Sequence, residues 1–146
     1  MPKREKIERI ARVALEKAEK LMDNERFKRS AESFRKAGEY YKELSNYKVA
    51  EQCFYYASKA YAKLDGERNY QRTALMEREA ARCCIFLDDF LKAQEYFNVS
   101  GKTELKADAK SRPEFATESF SFAFLCYFLR GEITEGIDFI KRIRSR

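Results

Sequence analysis

Residues 3–22 place Ile7, Ile10, Ala11, Ala14, Leu15, Ala18, Leu21 and Met22 at steps of three and four, with Lys, Arg and Glu between them. That spacing follows the turn of a helix and predicts one apolar stripe on an otherwise charged surface. Similar stripes continue along the chain. Asp23-Asn24 are placed to cap a second helix over about 25–44, since short polar side chains accept the free N–H groups of a first turn. Ser45-Asn46 are placed to cap a third over about 47–64, which Asp65-Gly66 ends. A fourth spans about 68–87, and Asp88-Asp89 begin a fifth that stops near Gly101. Residues 102–112 are polar and read as a loop with some helical turn. Pro113 suits the first turn of a sixth helix, where a missing N–H is harmless, and Gly131 closes it before a seventh over 132–144. Nowhere does the two-residue alternation of a half-buried strand occur.

Four of these helices share one internal spacing. Phe27, Ser30, Phe34 and Ala37 are matched by Tyr47, Ala50, Phe54 and Ala57, by Phe90, Ala93, Phe97 and Ser100, and by Ile133, Gly136, Ile140 and Ile143. Large residues alternating with small ones on one face let neighbouring helices approach and interlock. Tyr47, Phe90 and Ile133 are separated by equal intervals of 43 residues, as in a stacked array. The helices before them correspond as well. Phe34, Ala37, Gly38 and Tyr41 map onto Glu77, Ala80, Ala81 and Cys84, and then onto Phe120, Ala123, Phe124 and Tyr127.

Phe34, Ala37, Gly38, Tyr41, Tyr47, Ala50, Phe54 and Ala57 resemble the tetratricopeptide consensus nearly position for position across 31–64. The stretch from Ser30 to Lys42 is also similar to the soluble NSF attachment protein branch, whose helices are longer than the tetratricopeptide standard. The resemblance is partial over 74–107 and weaker over 117–146, where Phe124 stands at a small-residue position. It implies an all-α fold, a right-handed array of antiparallel helix hairpins forming a superhelix, in one domain over 1–146. It also implies a concave groove lined by the first helix of each hairpin. The groove-facing positions are then Glu32, Arg35, Glu39 and Lys42; Leu75, Arg78, Arg82, Ile85 and Phe86; and Ser121, Leu125, Phe128 and Leu129.

Composition narrows the function classes. Apolar residues make up 45% and charged residues 37%, with five Gly and two Pro, a helical balance rather than a disordered or many-turned one. The longest apolar run, Phe120 to Leu129, is too short to span a bilayer, and the charged start lacks the apolar core of a secretory signal. Both readings predict a cytoplasmic protein. The net charge of +6 resides in the ends, because residues 1–12 and 141–146 together carry +7. A basic body would point more strongly to nucleic acid.

Candidate chemistry is sparse. No histidine exists, which excludes Ser–His and Cys–His nucleophile systems and histidine zinc sites. Cys53, Cys83, Cys84 and Cys126 form no Cys-x-x-Cys pair and read as buried free thiols. Carboxylates such as Glu5 and Glu16 sit at salt-bridge spacing to Arg9 and Lys20, and no glycine-rich phosphate loop is present. The expectation is therefore a non-enzymatic scaffold with no cofactor or metal, holding a peptide or helix of a protein partner. Arg35, Arg78, Arg82, Ile85, Phe86, Leu125 and Phe128 are the expected binding residues, with Arg78 and Arg82 on ligand carboxylates. A terminal helix or a second copy of the chain covering the groove is the competing account, and the nearly all-apolar sixth helix favours burial. Of the tyrosines, Tyr41 and Tyr61 fit the core, whereas Tyr40, Tyr55 and Tyr56 fit the surface. The alternative function is nucleic-acid association through Lys3, Arg4, Lys6, Arg9 and Arg12 with Lys141, Arg142, Arg144 and Arg146.

Overall fold

A computed structural model of the chain describes residues 2–107 and 113–144. Among these residues are seven helices and no strand: α1 (Lys3–Asp23), α2 (Phe27–Glu43), α3 (Tyr47–Ala62), α4 (Glu67–Phe86), α5 (Phe90–Ala107), α6 (Pro113–Leu129) and α7 (Ile133–Arg144). Each helix packs chiefly on its neighbours in sequence, α1 on α2 and so on to α6 on α7. The array of helical hairpins expected from the 43-residue period is the architecture observed.

Four turns are built alike. Glu25, Ser45, Asp88 and Gly131 all have left-handed backbones, with φ of 58°, 58°, 56° and 76°. In each turn that residue's N–H donates to the carbonyl three residues back, and the next N–H donates to the carbonyl five back. Ser45 and Asn46 reach Lys42 and Tyr41 in this way, and Gly131 and Glu132 reach Phe128 and Tyr127. These bonds satisfy carbonyls left over at the helix end and reverse the chain. Ser45, Asp88 and Gly131 are themselves 43 residues apart, so the turns repeat with the helices.

The turn geometry corrects one capping assignment. The residue that follows the left-handed position starts the next helix, and at the α1–α2 turn this is Arg26 rather than Asp23 or Asn24. Asn24 instead ends α1. Where the same position holds Asn46 or Asp89 the side chain does cap, accepting from Val49 N–H at 3.3 Å and from Lys92 N–H at 3.1 Å.

The fifth helix does not stop at Gly101. It continues to Ala107, so residues 102–107 of the expected loop are helical, and residues 108–112 lie outside the described ones. Gly101 is there for packing: a Cβ at this position would lie 2.6 Å from the Phe120 ring. A glycine inside a helix is tolerated when another helix must come that close.

The core follows the large–small pattern. Ala37, Ala50, Ala57, Ala80, Ala93 and Ala123 are fully buried at the crossings, and Phe34, Phe54, Phe97 and Phe120 fill the spaces between them. Ser30 and Ser100 repeat another device. Each buried hydroxyl donates at 2.8 Å to a carbonyl of the preceding helix, that of Ala18 or Ala74. All four cysteines are free and buried, and burial pushes the thiols of Cys53, Cys83 and Cys84 up to about 12 and that of Cys126 to about 11. They remain protonated at neutral pH and pack as small apolar groups.

Candidate functional site

An apolar groove runs between α4 and α6. Ile85 and Phe86 end α4 on one side, Phe122, Leu125, Cys126 and Leu129 line α6 on the other, and Phe97 of α5 forms the floor of a hollow of about 310 Å³. Phe86 is 63% exposed, Leu129 57% and Leu125 50%. The Phe86 ring is nonetheless held, lying flat on Tyr47 with centroids 4.4 Å apart. Phe128 lies beside the groove, exposed and edge-on to Phe124 at 4.8 Å. The sixth helix is therefore not buried all round as its composition suggested. Phe120, Ala123 and Cys126 face the core, while Leu125, Phe128 and Leu129 remain open.

The charged residues divide. Arg82 stands at the groove's rim, exposed and paired with Glu79, whose other oxygen meets Lys42 Nζ at 3.2 Å. Two cations share one carboxylate, which leaves this rim with a local positive excess. Arg35 lies on α2 in an exposed pair with Glu39 at 3.0 Å and takes no part in the groove's lining. Arg78 does not face a ligand surface. It is buried, and its Nη2 lies 3.1 Å from the equally buried Glu104 Oε1. The helical repeat places Arg78 and Arg82 one turn apart, but α5 packs over Arg78 and supplies Glu104.

The two basic ends do not form one patch. α1 packs against α2 and α7 against α6, so the array separates Lys3, Arg4, Lys6, Arg9 and Arg12 from Lys141, Arg142 and Arg144. Arg146 lies outside the described residues. Comparison with protein-family models, curated proteins and solved structures returned no match.

A second hollow, of about 280 Å³, lies between α3 and α5 with Glu77 of α4 in its lining. Sequence reasoning missed it, although one signal existed: Glu77 takes the repeat position held by Phe34 and Phe120. Glu77 is only 6% exposed, and burial raises its carboxyl from 4.5 to about 7, against the opposing pull of the Thr103 hydroxyl and Lys59. The Thr103 hydroxyl reaches Glu77 Oε1 at 2.9 Å and the Val99 carbonyl at 3.0 Å, but has one proton to donate between them. Tyr55 and Tyr96 stand on the walls with rings edge to face at 6.4 Å, and Lys59 Nζ sits over the Tyr55 ring at 5.2 Å. At one end Glu51 holds two partners on one oxygen. It accepts from the Tyr96 hydroxyl at 2.5 Å and pairs with Lys92 at 2.9 Å.

Among the described residues no group of His, Cys, Asp and Glu has metal-binding geometry, and no helix is long and apolar enough to cross a membrane. Tyr61 is buried, Tyr41 packs on the core, and Tyr55 and Tyr56 are exposed, as the pattern predicted, whereas Tyr40, expected at the surface, is half-buried.

Proposed function

We propose that this chain is a protein-interaction scaffold of the tetratricopeptide kind, and that the groove between α4 and α6 receives an amphipathic helix from a partner protein. The observation that carries this reading is the clustering of exposed Phe86, Leu125 and Leu129 around one apolar hollow. A contiguous apolar surface of this sort is unusual on a chain without a partner. The array offers side chains and no sheet edge among its described residues, which favours a helix over an added strand. Arg82 and Lys42 favour an acidic residue on the flank of that helix, setting its orientation more than its affinity.

A photo-crosslinking residue in place of Leu129, expressed in the source cell, tests the proposal. The expected product joins the groove to a partner segment with apolar residues at helical spacing and an Asp or Glu beside them. Phe86→Ala with Leu125→Ala should then weaken that segment's binding by about tenfold or more, as loss of central apolar contacts does. Arg35→Ala should leave it unchanged. Crosslinking only to a second copy of the chain would overturn the proposal and make the groove an oligomer interface.

A further inference from the structure

The hollow between α3 and α5 has a counterpart within the same molecule. Adding the 43-residue period to Tyr55, Lys59, Tyr96 and Val99 gives Asn98, Lys102, Phe139 and Arg142, and these four line a smaller hollow of about 110 Å³ between α5 and α7. One difference lies at the position of Glu77. Its counterpart Phe120 is buried, with its ring centroid 6.3 Å from that of Phe139, the counterpart of Tyr96. In the first hairpin the same position is Phe34, 2% exposed. Two of three repeats thus place an aromatic ring where the middle one buries a carboxyl group.

Packing does not call for that carboxyl. A buried acid is unfavourable unless partnered, and Glu77 has one hydroxyl, shared with Val99, at one of its oxygens. Local exceptions of this kind mark positions kept for a purpose other than stability. The walls are aromatic, and a protonated amine is already seated on one of them, that of Lys59 over Tyr55. Lys59 does not ion-pair with Glu77, and Lys92 is held by Glu51. The charged groups around Glu77 are Lys59 from α3 and Glu104 and Lys106 from α5, with Glu104 itself paired to Arg78, and the exposed Glu95 carboxylate and Lys92 line the hollow as well.

We propose that this hollow binds a compact molecule bearing a protonated primary amine, with the ammonium on the Glu77 carboxylate beside the aromatic walls that Tyr55 and Tyr96 supply. Cation–π attraction and the carboxylate act on the same charge there. A simple aliphatic amine and a free amino acid share this chemistry. The amino acid would add a carboxylate for Lys59. The site is separate from the groove between α4 and α6, and its test does not depend on that reading.

Amide and tyrosine-ring NMR shifts of the full chain, titrated with n-butylamine, n-butyrate and 2-aminopentanoate up to about 10 mM, give the test. Butylamine and 2-aminopentanoate should shift Tyr55, Tyr96 and Val99, and butyrate should not. Glu77→Phe restores the residue of the other repeats and should fold while abolishing both responses. Glu77→Gln keeps the shape and should weaken both by about tenfold, through loss of the charged partner. Lys59→Met separates the sources: a weaker 2-aminopentanoate response with butylamine unchanged assigns an amino acid, and equal retention of both assigns a simple amine. Binding by butyrate alone, no response to either amine, or responses that survive in folded Glu77→Phe would each overturn the proposal.

Discussion

Arg78 Nη2 lies 3.1 Å from Glu104 Oε1 with both side chains more than nine-tenths buried, which ties the middle of α4 to α5 by charge. Removing one member takes a charge-assisted bond and its packing out of a site shielded from water. Arg78→Ala should therefore destabilise by about 3–5 kcal/mol, whereas Arg82→Ala, at an exposed pair, should change stability by less than about 1 kcal/mol. Chemical denaturation of these variants measures this, and equal midpoints for Arg78→Ala and Arg82→Ala would refute the burial argument.

Ala50 and Ala93 hold the same place in successive repeats, and both are fully buried at helix crossings. Enlarging either to Leu should destabilise by about 1–3 kcal/mol, because packed helices must move apart to admit the extra atoms. Unchanged thermal midpoints in both variants would show that these crossings are looser than the repeat requires.

Gly101 and Gly131 should fail for different reasons. At Gly101 an added methyl meets the Phe120 ring at 2.6 Å, whereas at Gly131 nothing lies within 4 Å but φ is 76°. Gly101→Ala should be rescued in part by Phe120→Leu, and Gly131→Ala should not. The same backbone logic predicts that Asp88→Gly, at φ 56°, stabilises by up to about 1 kcal/mol. A destabilised Asp88→Gly would mean that the aspartate contributes more than its backbone conformation costs.

The raised Glu77 carboxyl gives stability a distinctive pH dependence. Between 4.5 and about 7 the folded chain keeps a proton on Glu77 that the unfolded chain has released. Its contribution is complete below 4.5, declines as pH rises through this window and levels off above about 7. The full change is roughly 3 kcal/mol. Glu77→Gln cannot titrate, so its stability relative to the native chain should increase from pH 4.5 to pH 8. Parallel curves of stability against pH for the two proteins would disprove it.

The helices and their period were legible because they depend on near neighbours in sequence. An apolar stripe at steps of three and four, or a Gly at the end of one, acts over a single turn, and Tyr47, Phe90 and Ile133 therefore located α3, α5 and α7 before any contact was known. Long-range pairing decided the rest. Gly101 reads as a helix stop until Phe120, 19 residues on, is seen to need the space above it. Arg78 and Arg82 are equivalent by helical position, and only the placement of Glu104 on α5 buries one and leaves the other open. Ile85, Phe86 and Leu125 were expected together and are together, yet the hollow they share exists because Phe97 enters it from a third helix. Glu77 is the clearest division between the two kinds of information. The repeat marked its position as a core site, but the enclosing residues, Tyr55, Tyr96 and Thr103, come from two other helices. Burial and partnership are properties of surfaces brought together by the fold, and a local pattern specifies only one of the surfaces that meet.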